Sequence, residues 1–576
     1  MNITPRHPLA PKGYKGQLCN WRGTTSLFQR EVMRFLAIST ESLVGPALSS
    51  VLFLALFTFA LGENAIVPGG VSYMLFLIPG LVLMGIMESA FANGGFSLVH
   101  AKWEGNIADF LSAPLSPWEL AAAFLAGNMA RGFIVGVLVL ALLSVLFDAP
   151  PLPHPFVALW FAALTALLFA LIGSLTGVLS LHWEGMMVTM NFFITPLSIL
   201  SGTFYTLDQL PDSWARLAVY NPVWYLVDGF RYGFLGVHES NLVAGSVIAV
   251  VTNAILLLAL VWLLRRRWRL WDASSQGLHG YLRVRILDLR ARVFGTRRRR
   301  PAVFSAPQRL ARAARGGPRV PAAFVAAVKE VVTLARRAVL RTLENPAAWL
   351  GDLVGTGVLA WMFIVIVPES DYAPAGWTTA AWLAPGLVAI ATWHMAFAVT
   401  AYSFVLDRDE GGMEDILIPP ISSFCLLCGW LLGALVLALS MGVACWGLLQ
   451  FFLDSPVNPL VFFLWLGLGS VFFAALGILA GIPAQRFDEV GAWEIFLVYP
   501  FLMLSGFLGA SETLPPIGQA LVAWNPLTEP VSRLRIAWSG RELDVSPWGL
   551  LVILGITLLL VLFAWWRTSC SPRLRA

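Results

Sequence analysis

Long apolar stretches alternate with short polar connections along nearly the whole chain. A helix needs about 20 consecutive apolar residues to cross the hydrocarbon core of a bilayer. The pattern predicts six membrane spans in each half of the chain, with the fifth span of each half short. We expect the spans at about 43–61, 72–98, 119–147, 156–180, 187–201 and 246–264, and again at about 347–367, 380–405, 421–452, 458–480, 491–507 and 546–566.

The second half repeats the first. Pro79-Gly80-Leu81-Val82 recurs 306 residues later as Pro385-Gly386-Leu387-Val388, and Leu200-Ser201-Gly202 recurs 304 residues later as Leu504-Ser505-Gly506. Duplicated membrane units usually build a pathway between the two copies. The predicted fold is therefore an all-α polytopic membrane protein made of two parallel repeats of six transmembrane helices, each with a re-entrant hairpin before its last helix.

The predicted hairpins, 202–236 and 506–540, are too polar to span a membrane and unusually rich in aromatic residues. Irregular backbone at membrane depth must be buried in protein or line a cavity. Their aromatic faces suit sugars and lipid-like ligands, and an anchoring belt at the membrane surface is the alternative. The candidates are Tyr205, Trp214, Tyr220, Trp224, Tyr225 and Arg231 in the first hairpin, and Trp524, Arg535 and Trp538 in the second.

Composition and charge give the class and the orientation. Hydrophobic residues make up 58% of the chain and charged residues 12%, whereas soluble domains carry about 25% charged residues. Most Lys and Arg residues lie before the first span, between the halves and after the last span, which places these segments and both termini in the cytoplasm. The predicted organisation is an N-terminal segment with an amphipathic helix (1–42), a first six-helix unit (43–264), a basic linker with a second amphipathic helix (265–345), a second six-helix unit (346–566) and a tail (567–576).

The linker contains the run Arg297 to Arg300. Basic residues near anionic headgroups contribute about 1 kcal/mol each to membrane attraction. We therefore expect the linker to contact membrane lipids, and nothing else in the sequence indicates a nucleic-acid partner.

The cytoplasmic loop after the second span of each half keeps its pattern, at 100–118 and 406–420. Each loop predicts a short helix, at about 104–112 and 410–418, ending in a proline-bounded turn. A plain solvated loop is the simpler interpretation, but a repeated loop pattern favours a function. The candidate residues are Lys102, Glu104 and Asp109 in the first loop, and Asp407, Arg408, Glu410, Glu414 and Asp415 in the second.

Two charges lie in the middle of predicted spans, Glu88 in the second and Arg131 in the third. A charge there costs about 2.5–3.5 kcal/mol on insertion scales. At about 1.5 Å per residue, both lie roughly 18–21 Å from the shared cytoplasmic loop. In the second half their counterparts are His394 and Leu437, so acid and base disappear together. We predict an intramembrane ion pair, which either holds two helices together or borders a path.

Enzyme chemistry finds no support in the sequence. The phosphate-binding pattern GxxxxGK[ST] is absent, because none of the four lysines follows a glycine. The histidines and cysteines show no metal-ligand pattern. We expect no catalytic residue, no metal and no cofactor in this chain.

The PGLV span, the WEGNIADFLSAPLS loop and the run from PLSILSGTFYTLDQLP to NPVWYLVDGFRYGFLG resemble the permease subunits of ABC-2 type exporters. Members of that family are usually half this length and work in pairs, so the pair here resembles a fusion. In the second half the stretch RYGF becomes Arg535-Ile536-Ala537-Trp538, which departs from the family pattern.

The resemblance implies a protein of the bacterial inner membrane that exports a glycan, a lipid-linked compound or another hydrophobic compound. It implies that separate ATPase subunits bind ATP and Mg²⁺ and dock on the two amphipathic helices and the two loops. It also implies that the hairpins close the outer end of the path. An ion-coupled secondary transporter with twelve helices is the alternative, and a membrane scaffold without transport activity is a third.

Overall fold

The computed structural model describes most of both halves. The described residues are 20–61, 66–67, 70–103, 106–147, 150–180, 183–210, 212–266, 320–344, 346–366, 377–409, 412–418, 421–450, 458–507, 516–543, 545–546 and 548–570. The predictions on Glu104, on Glu410, on Arg297 to Arg300 and on the C-terminal tail after residue 570 lie outside them, as do those on the side chains of Glu414 and Asp415.

The first half begins with an amphipathic helix and continues with the predicted spans. Its helices are α1 Trp21–Ala37, α2 Gly45–Leu61, α3 Tyr73–Trp103, α4 Ile107–Ser112, α5 Pro117–Leu146, α6 Pro155–Leu179, α7 Trp183–Thr189, α8 Thr195–Ser198, α9 Asp212–Val219, α10 Pro222–Leu235 and α11 Leu242–Arg265. A two-residue antiparallel pair, β1 Ile66–Val67 and β2 Val71–Ser72, lies between α2 and α3.

The second half has the same order of elements. Its helices are α12 Val320–Glu344, α13 Pro346–Ile366, α14 Thr379–Asp409, α15 Gly412–Leu417, α16 Ser423–Leu449, α17 Pro459–Gly481, α18 Phe487–Trp493, α19 Tyr499–Met503, α20 Pro516–Trp524, α21 Thr528–Ser539 and α22 Gly549–Cys570. Nine helices within the described ranges are long and apolar enough to cross a membrane. The all-α class and the two tandem units are confirmed.

Glycines set the packing of each half, at equivalent positions. A Cβ at Gly173 of α6 would lie 2.2 Å from the carbonyl oxygen of Phe91 in α3. In the second half, a Cβ at Gly477 would lie 2.5 Å from the carbonyl oxygen of Phe397. Small residues let membrane helices approach this closely. The offset between the two halves is 306 residues at the glycines of the third span (α5 and α16) and 304 residues at Gly173 and Gly477 of the fourth span. The two-residue difference therefore arises between the third and fourth spans.

The fifth span is broken in both halves at the same place. A π-helix covers Met190–Ile194 between α7 and α8, and another covers Glu494–Val498 between α18 and α19. Pro196 and Pro500 follow these segments. Proline lacks an N–H donor and clashes with the carbonyl four residues earlier, and a π-turn absorbs such a defect by adding one residue to the turn. Two further π-helices cover Thr40–Val44 and Ile199–Thr203.

The two halves meet along a seam, formed where the first span of each half packs on the broken fifth span of the other. A Cβ at Gly45 of α2 would lie 2.8 Å from Ile495, and one at Gly351 of α13 would lie 2.8 Å from Asn191. Gly45 and Gly351 are equivalent positions of the repeat, as are Asn191 and Ile495. The seam therefore has approximate twofold symmetry, with a glycine at each close approach.

Candidate functional site

One end of the first half carries a surface made of α1, α4 and the start of α5, which the charge pattern predicts to be cytoplasmic. The guanidinium of Arg30 lies over the Phe110 ring, 4.2 Å from its centroid, which joins α1 to α4. Glu31 is fully buried, pairs with Arg34 at 3.0 Å and accepts a 2.7 Å hydrogen bond from Ser97 of α3. The amphipathic helix is thus fixed to both the span and the loop helix.

The second half achieves the same attachment with different charges. Asp407, at the end of α14, is buried and accepts hydrogen bonds from Arg337 at 2.7 and 3.2 Å and from Arg341 at 2.9 Å. A Cβ at Gly412, the first residue of α15, would lie 2.8 Å from Arg337. Asp407 therefore holds α12 against the loop, and its carboxylate is directed inward rather than toward a partner.

Lys102 and Arg408, grouped by sequence with the coupling loops, have a different role in the structure. Lys102 is only 2% exposed, and its ammonium donates to the carbonyl oxygens of Gly177, Val178 and Ser180 at 2.8, 2.6 and 2.8 Å. Arg408 donates to the carbonyl oxygen of Ile482 at 3.1 Å and to that of Ala484.

These carbonyls end the fourth span of each half, at equivalent positions of the repeat. Helix C-termini leave carbonyls unpaired and carry negative partial charge, so a cation there ties the second span to the fourth. Lys102 is buried at this helix end, and coupling of the loops that contain Lys102 and Arg408 to an ATPase stays a prediction.

The loop helices themselves form as predicted, as α4 and α15. Asp109 lies in the first turn of α4 and is exposed. Phe110 points the other way and packs on Phe124, with ring centroids 5.4 Å apart. The short helix therefore has a fixed inner face and a free outer face that carries an acid.

The predicted hairpins are helical, with α9 and α10 in the first half and α20 and α21 in the second. Arg231 is buried, donates to the carbonyl oxygen of Gly202 at 2.7 Å and lies over the Phe76 ring at 3.7 Å. Arg535 donates to the carbonyl oxygen of Gly506 at 2.8 Å and lies over the Trp382 ring at 3.6 Å.

Gly202 and Gly506 have φ of 80° and 71°. This left-handed conformation favours glycine, because glycine has no Cβ and adopts it without steric cost. Both arginines therefore clamp the turn that leads into the hairpin onto the second span. Burial lowers the pKa of Arg231 to about 10, against the opposing charges of Asp228 and Glu239, so it stays protonated at neutral pH.

The aromatic residues of the hairpins divide into two groups. Tyr205, Trp224 and Trp538 are buried, and Trp538 packs on Phe462 with centroids 5.4 Å apart. Their surfaces are committed to the protein. The exposed group is Tyr220 at 85%, Trp524 at 88% and Trp214 at 42%, while Tyr225 is half-buried against Trp224. Trp214 also reaches the other half, with its ring centroid 4.7 Å from that of Trp361 in α13.

Glu88 and Arg131 form no ion pair in the part of the chain that the structure describes. Arg131 instead donates to the carbonyl oxygen of Ser42 at 3.3 Å. The glycine face of α5 meets α3 at Ile86, because a Cβ at Gly136 would lie 2.6 Å from that side chain. Glu88 is two residues farther on, about 200° around a helix of 3.6 residues per turn. Equal depth did not bring the charges together, since Glu88 faces away from α5.

Glu88 faces the seam, where the structure assembles a polar cluster that the sequence analysis missed. The Tyr402 hydroxyl donates to Glu494 Oε2 at 2.9 Å, and His394 Nε2 lies 3.2 Å from Glu494 Oε1. The ring of His394 stacks on Tyr499 with centroids 5.5 Å apart, and Glu88 lies near enough to the Tyr499 hydroxyl for an electrostatic interaction.

A cross-half hydrogen bond completes the seam cluster: Asn191 of the first half donates to Asp352 Oδ1 of the second at 2.8 Å. Asp352 acts electrostatically on His394. The sequence feature that could have revealed this cluster is a carboxylate inside a predicted span, because ionisable residues in membrane spans usually have a function. Asp352 and Glu494 lie in the predicted spans 347–367 and 491–507, and the sequence analysis did not use them.

Comparison with known proteins agrees with this architecture. The family described as ABC-2 type transporter matches residues 22–235 and again 329–538. The inner membrane transport permease YadH of Escherichia coli K12 is 38% identical over 233 residues, which cover 40% of this chain and 90% of YadH. Nodulation protein J of Rhizobium leguminosarum bv. viciae is 24% identical over 259 residues, 43% of this chain and 95% of that protein. The chain thus belongs to the ABC-2 type transporter family and carries two family units in one polypeptide of the inner membrane.

Proposed function

We propose that this chain is the transmembrane permease subunit of an ABC exporter, moving a substrate out of the cytoplasm with ATP hydrolysed by a separate subunit. The partner subunit binds ATP and Mg²⁺, and both termini of this chain lie in the cytoplasm with it. A glycan, a lipid-linked compound or another hydrophobic compound is the proposed cargo, in keeping with relatives named as transport permeases and a nodulation protein.

The observation that carries the proposal is the construction of the two cytoplasmic surfaces. A short helix that contacts an ATPase through an exposed acidic residue can transmit the movement of that ATPase only if its buried face is rigidly attached to the membrane helices. Arg30 on Phe110 provides that attachment for α4, and the Asp407 arginine cluster provides it next to α15. Lys102 and Arg408 then connect the same region to the fourth spans. Movement of a docked ATPase would reach the second and fourth spans of each half.

The two attachments use different charged groups, so we expect the two docking surfaces to differ in their sensitivity to substitution. The first uses a cation over an aromatic ring, and the second uses a buried carboxylate with two arginines. At the outer end, the arginine clamps fix the hairpins on the second spans. We propose that the hairpins close the path there, with Tyr220 and Trp524 presenting free aromatic faces.

The test compares ATP hydrolysis by the purified chain, by its complex with the ATPase subunit, and by a complex with Asp109→Lys. We expect no hydrolysis by the chain alone and weaker assembly of the variant, because it reverses the charge of the outer face of α4. Glu542→Lys is the matched control, since that exposed acid follows the second hairpin. Robust turnover by the isolated chain, or unchanged assembly of the Asp109 variant, would overturn the proposal.

The ion-coupled carrier is a second candidate function because the seam cluster places ionisable groups inside the membrane, as proton relays of carriers do. Reconstituted vesicles separate the two functions. Transport that requires the ATPase and ATP supports the exporter, whereas transport driven by an imposed ion gradient without ATP supports the carrier.

A further inference from the structure

The seam cluster brings together side chains from both halves at a depth where charge is expensive. Glu88 comes from α3 of the first half, and Asp352, His394 and Glu494 come from three segments of the second half. A charged side chain near the bilayer centre costs at least about 2.5–3.5 kcal/mol. Such groups therefore need a partner of opposite charge or a ligand.

The charges in the seam cluster do not balance. Three carboxylates face one imidazole, and the imidazole lies beside Glu494. Asp352 has the neutral amide of Asn191 as its hydrogen-bond donor. Glu88 takes part in no hydrogen bond or ion pair with the residues described. With His394 beside Glu494, ionised Glu88 or Asp352 has no cation among its contacts in the described residues, and a positive charge brought by a ligand would favour the ionised form.

An independent observation points the same way. Glu494 is 8% exposed, yet its Oε1 accepts no hydrogen bond from any described group. Its contact with His394 Nε2, at 3.2 Å, is an ion pair when the imidazole is protonated. An unsatisfied carboxylate oxygen in a buried site costs several kcal/mol in an apolar medium. A cation or an N–H donor of a bound molecule would satisfy it.

The first half contributes only Glu88 and Asn191 to the seam cluster, because the repeat lacks most of the other polar groups there. The positions equivalent to Tyr402, Glu494 and Asp352 are Phe96, Met190 and Pro46. Two tyrosine rings, Tyr402 and Tyr499, flank the acids, and aromatic faces attract cations. Most of the acidic side chains of the site therefore belong to the second half, and apolar residues occupy the equivalent positions of the first half.

We propose that the seam cluster binds the positively charged group of a lipophilic cation, and that such molecules are substrates or substrate mimics of this permease. The inference rests on the proposed transport function for its role, but binding to the seam cluster is measurable without the ATPase. Asymmetry between the halves gives the ligand one orientation, with its charge among the carboxylates of Glu88, Asp352 and Glu494 and its apolar body toward the apolar positions of the first half.

The experiment uses the full chain in nanodiscs without ATPase and measures equilibrium binding of radiolabelled tetraphenylphosphonium above empty nanodiscs. Tetraphenylborate, of nearly the same size and shape but negative, is the competitor. The variants are Glu88→Gln, Glu88→Asp and Asp352→Asn, with Glu542→Gln as the control for an acid outside the seam. Thermal unfolding confirms that each variant is folded.

We expect saturable binding of tetraphenylphosphonium, no competition by tetraphenylborate, and at least tenfold weaker binding for Glu88→Gln and Asp352→Asn. Glu88→Asp keeps the charge and should retain most of the affinity, and Glu542→Gln should match the wild type. Absence of saturable binding, equal competition by the anion, or unchanged affinity of folded Glu88→Gln and Asp352→Asn overturns the proposal. None of these results alters ATP-dependent transport of other cargo, so failure here is separate from failure of the exporter proposal.

Discussion

Replacing Lys102 with methionine tests whether this residue is a structural cap or a contact for the partner. Methionine keeps the length and the apolar stem but removes the ammonium that donates to three carbonyls at the end of α6. Those carbonyls lose the ammonium at a position where Lys102 is only 2% exposed.

The expected loss follows from the three hydrogen bonds and the helix dipole. A hydrogen bond to a charged group contributes about 1.5–3 kcal/mol, and a cation at a helix C-terminus about 0.3–1 kcal/mol. The three bonds share one ammonium, and water at the end of the helix replaces part of them. We therefore expect the free energy of unfolding to fall by about 2–4 kcal/mol. This is about the contribution of one hydrogen bond to a charged group plus the cost of leaving the carbonyl oxygens without a donor.

The assay is equilibrium unfolding of the purified chain, together with co-purification of the ATPase subunit. Lys102→Arg should recover most of the loss, because Arg408 performs the same capping in the second half. Lys329→Met, at an exposed position of α12, is the matched control and should change stability little. The reasoning is refuted if Lys102→Met destabilises no more than Lys329→Met while ATPase binding is lost, since Lys102 would then act as a docking residue.

Two further predictions concern the hairpin turn and the intramembrane charges. Gly202→Ala should lower the free energy of unfolding by about 2 kcal/mol, because a left-handed backbone costs about 1–2 kcal/mol for alanine and the new Cβ would lie 2.9 Å from Trp224. The control Gly355→Ala should be neutral, because no atom lies within 4 Å of its new Cβ. Equal losses of stability for the two variants in thermal unfolding would contradict the strain argument. In a double-mutant cycle, Glu88→His and Arg131→Leu should be additive within about 0.5 kcal/mol, as for residues without shared partners, and a coupling of several kcal/mol would show that they interact after all.

Local information in the sequence was enough for the spans, the short loop helices and the family. Apolar length determines where a chain crosses the membrane, and this is independent of how the helices pack. The same holds for α4 and α15, whose proline-bounded turns are short-range signals. The hairpins 202–236 and 506–540 were also recognisable, because their polarity excluded a span and their proline and aromatic content excluded an ordinary loop.

Contacts between distant segments were beyond the same reasoning. Glu88 and Arg131 were placed at equal depth by counting residues, but the angle around the helix depends on which face α5 packs against, and Gly136 on Ile86 decides that. Lys102 looked like a loop residue because its loop is charged. Its side chain is buried only because α6 ends beside it, and no spacing within the loop reveals that neighbour.

The sequence by itself determined the membrane class, the twofold repeat and the order of the main helices, because hydrophobic length and self-similarity are properties of the chain alone. Only the tertiary structure decided which charges share a site. The seam cluster joins Glu88, Asn191, Asp352, His394 and Glu494 across some 400 positions of sequence. Its members meet because the first and fifth spans of opposite halves pack together, and that packing is set by glycine contacts and broken helices acting over the whole fold.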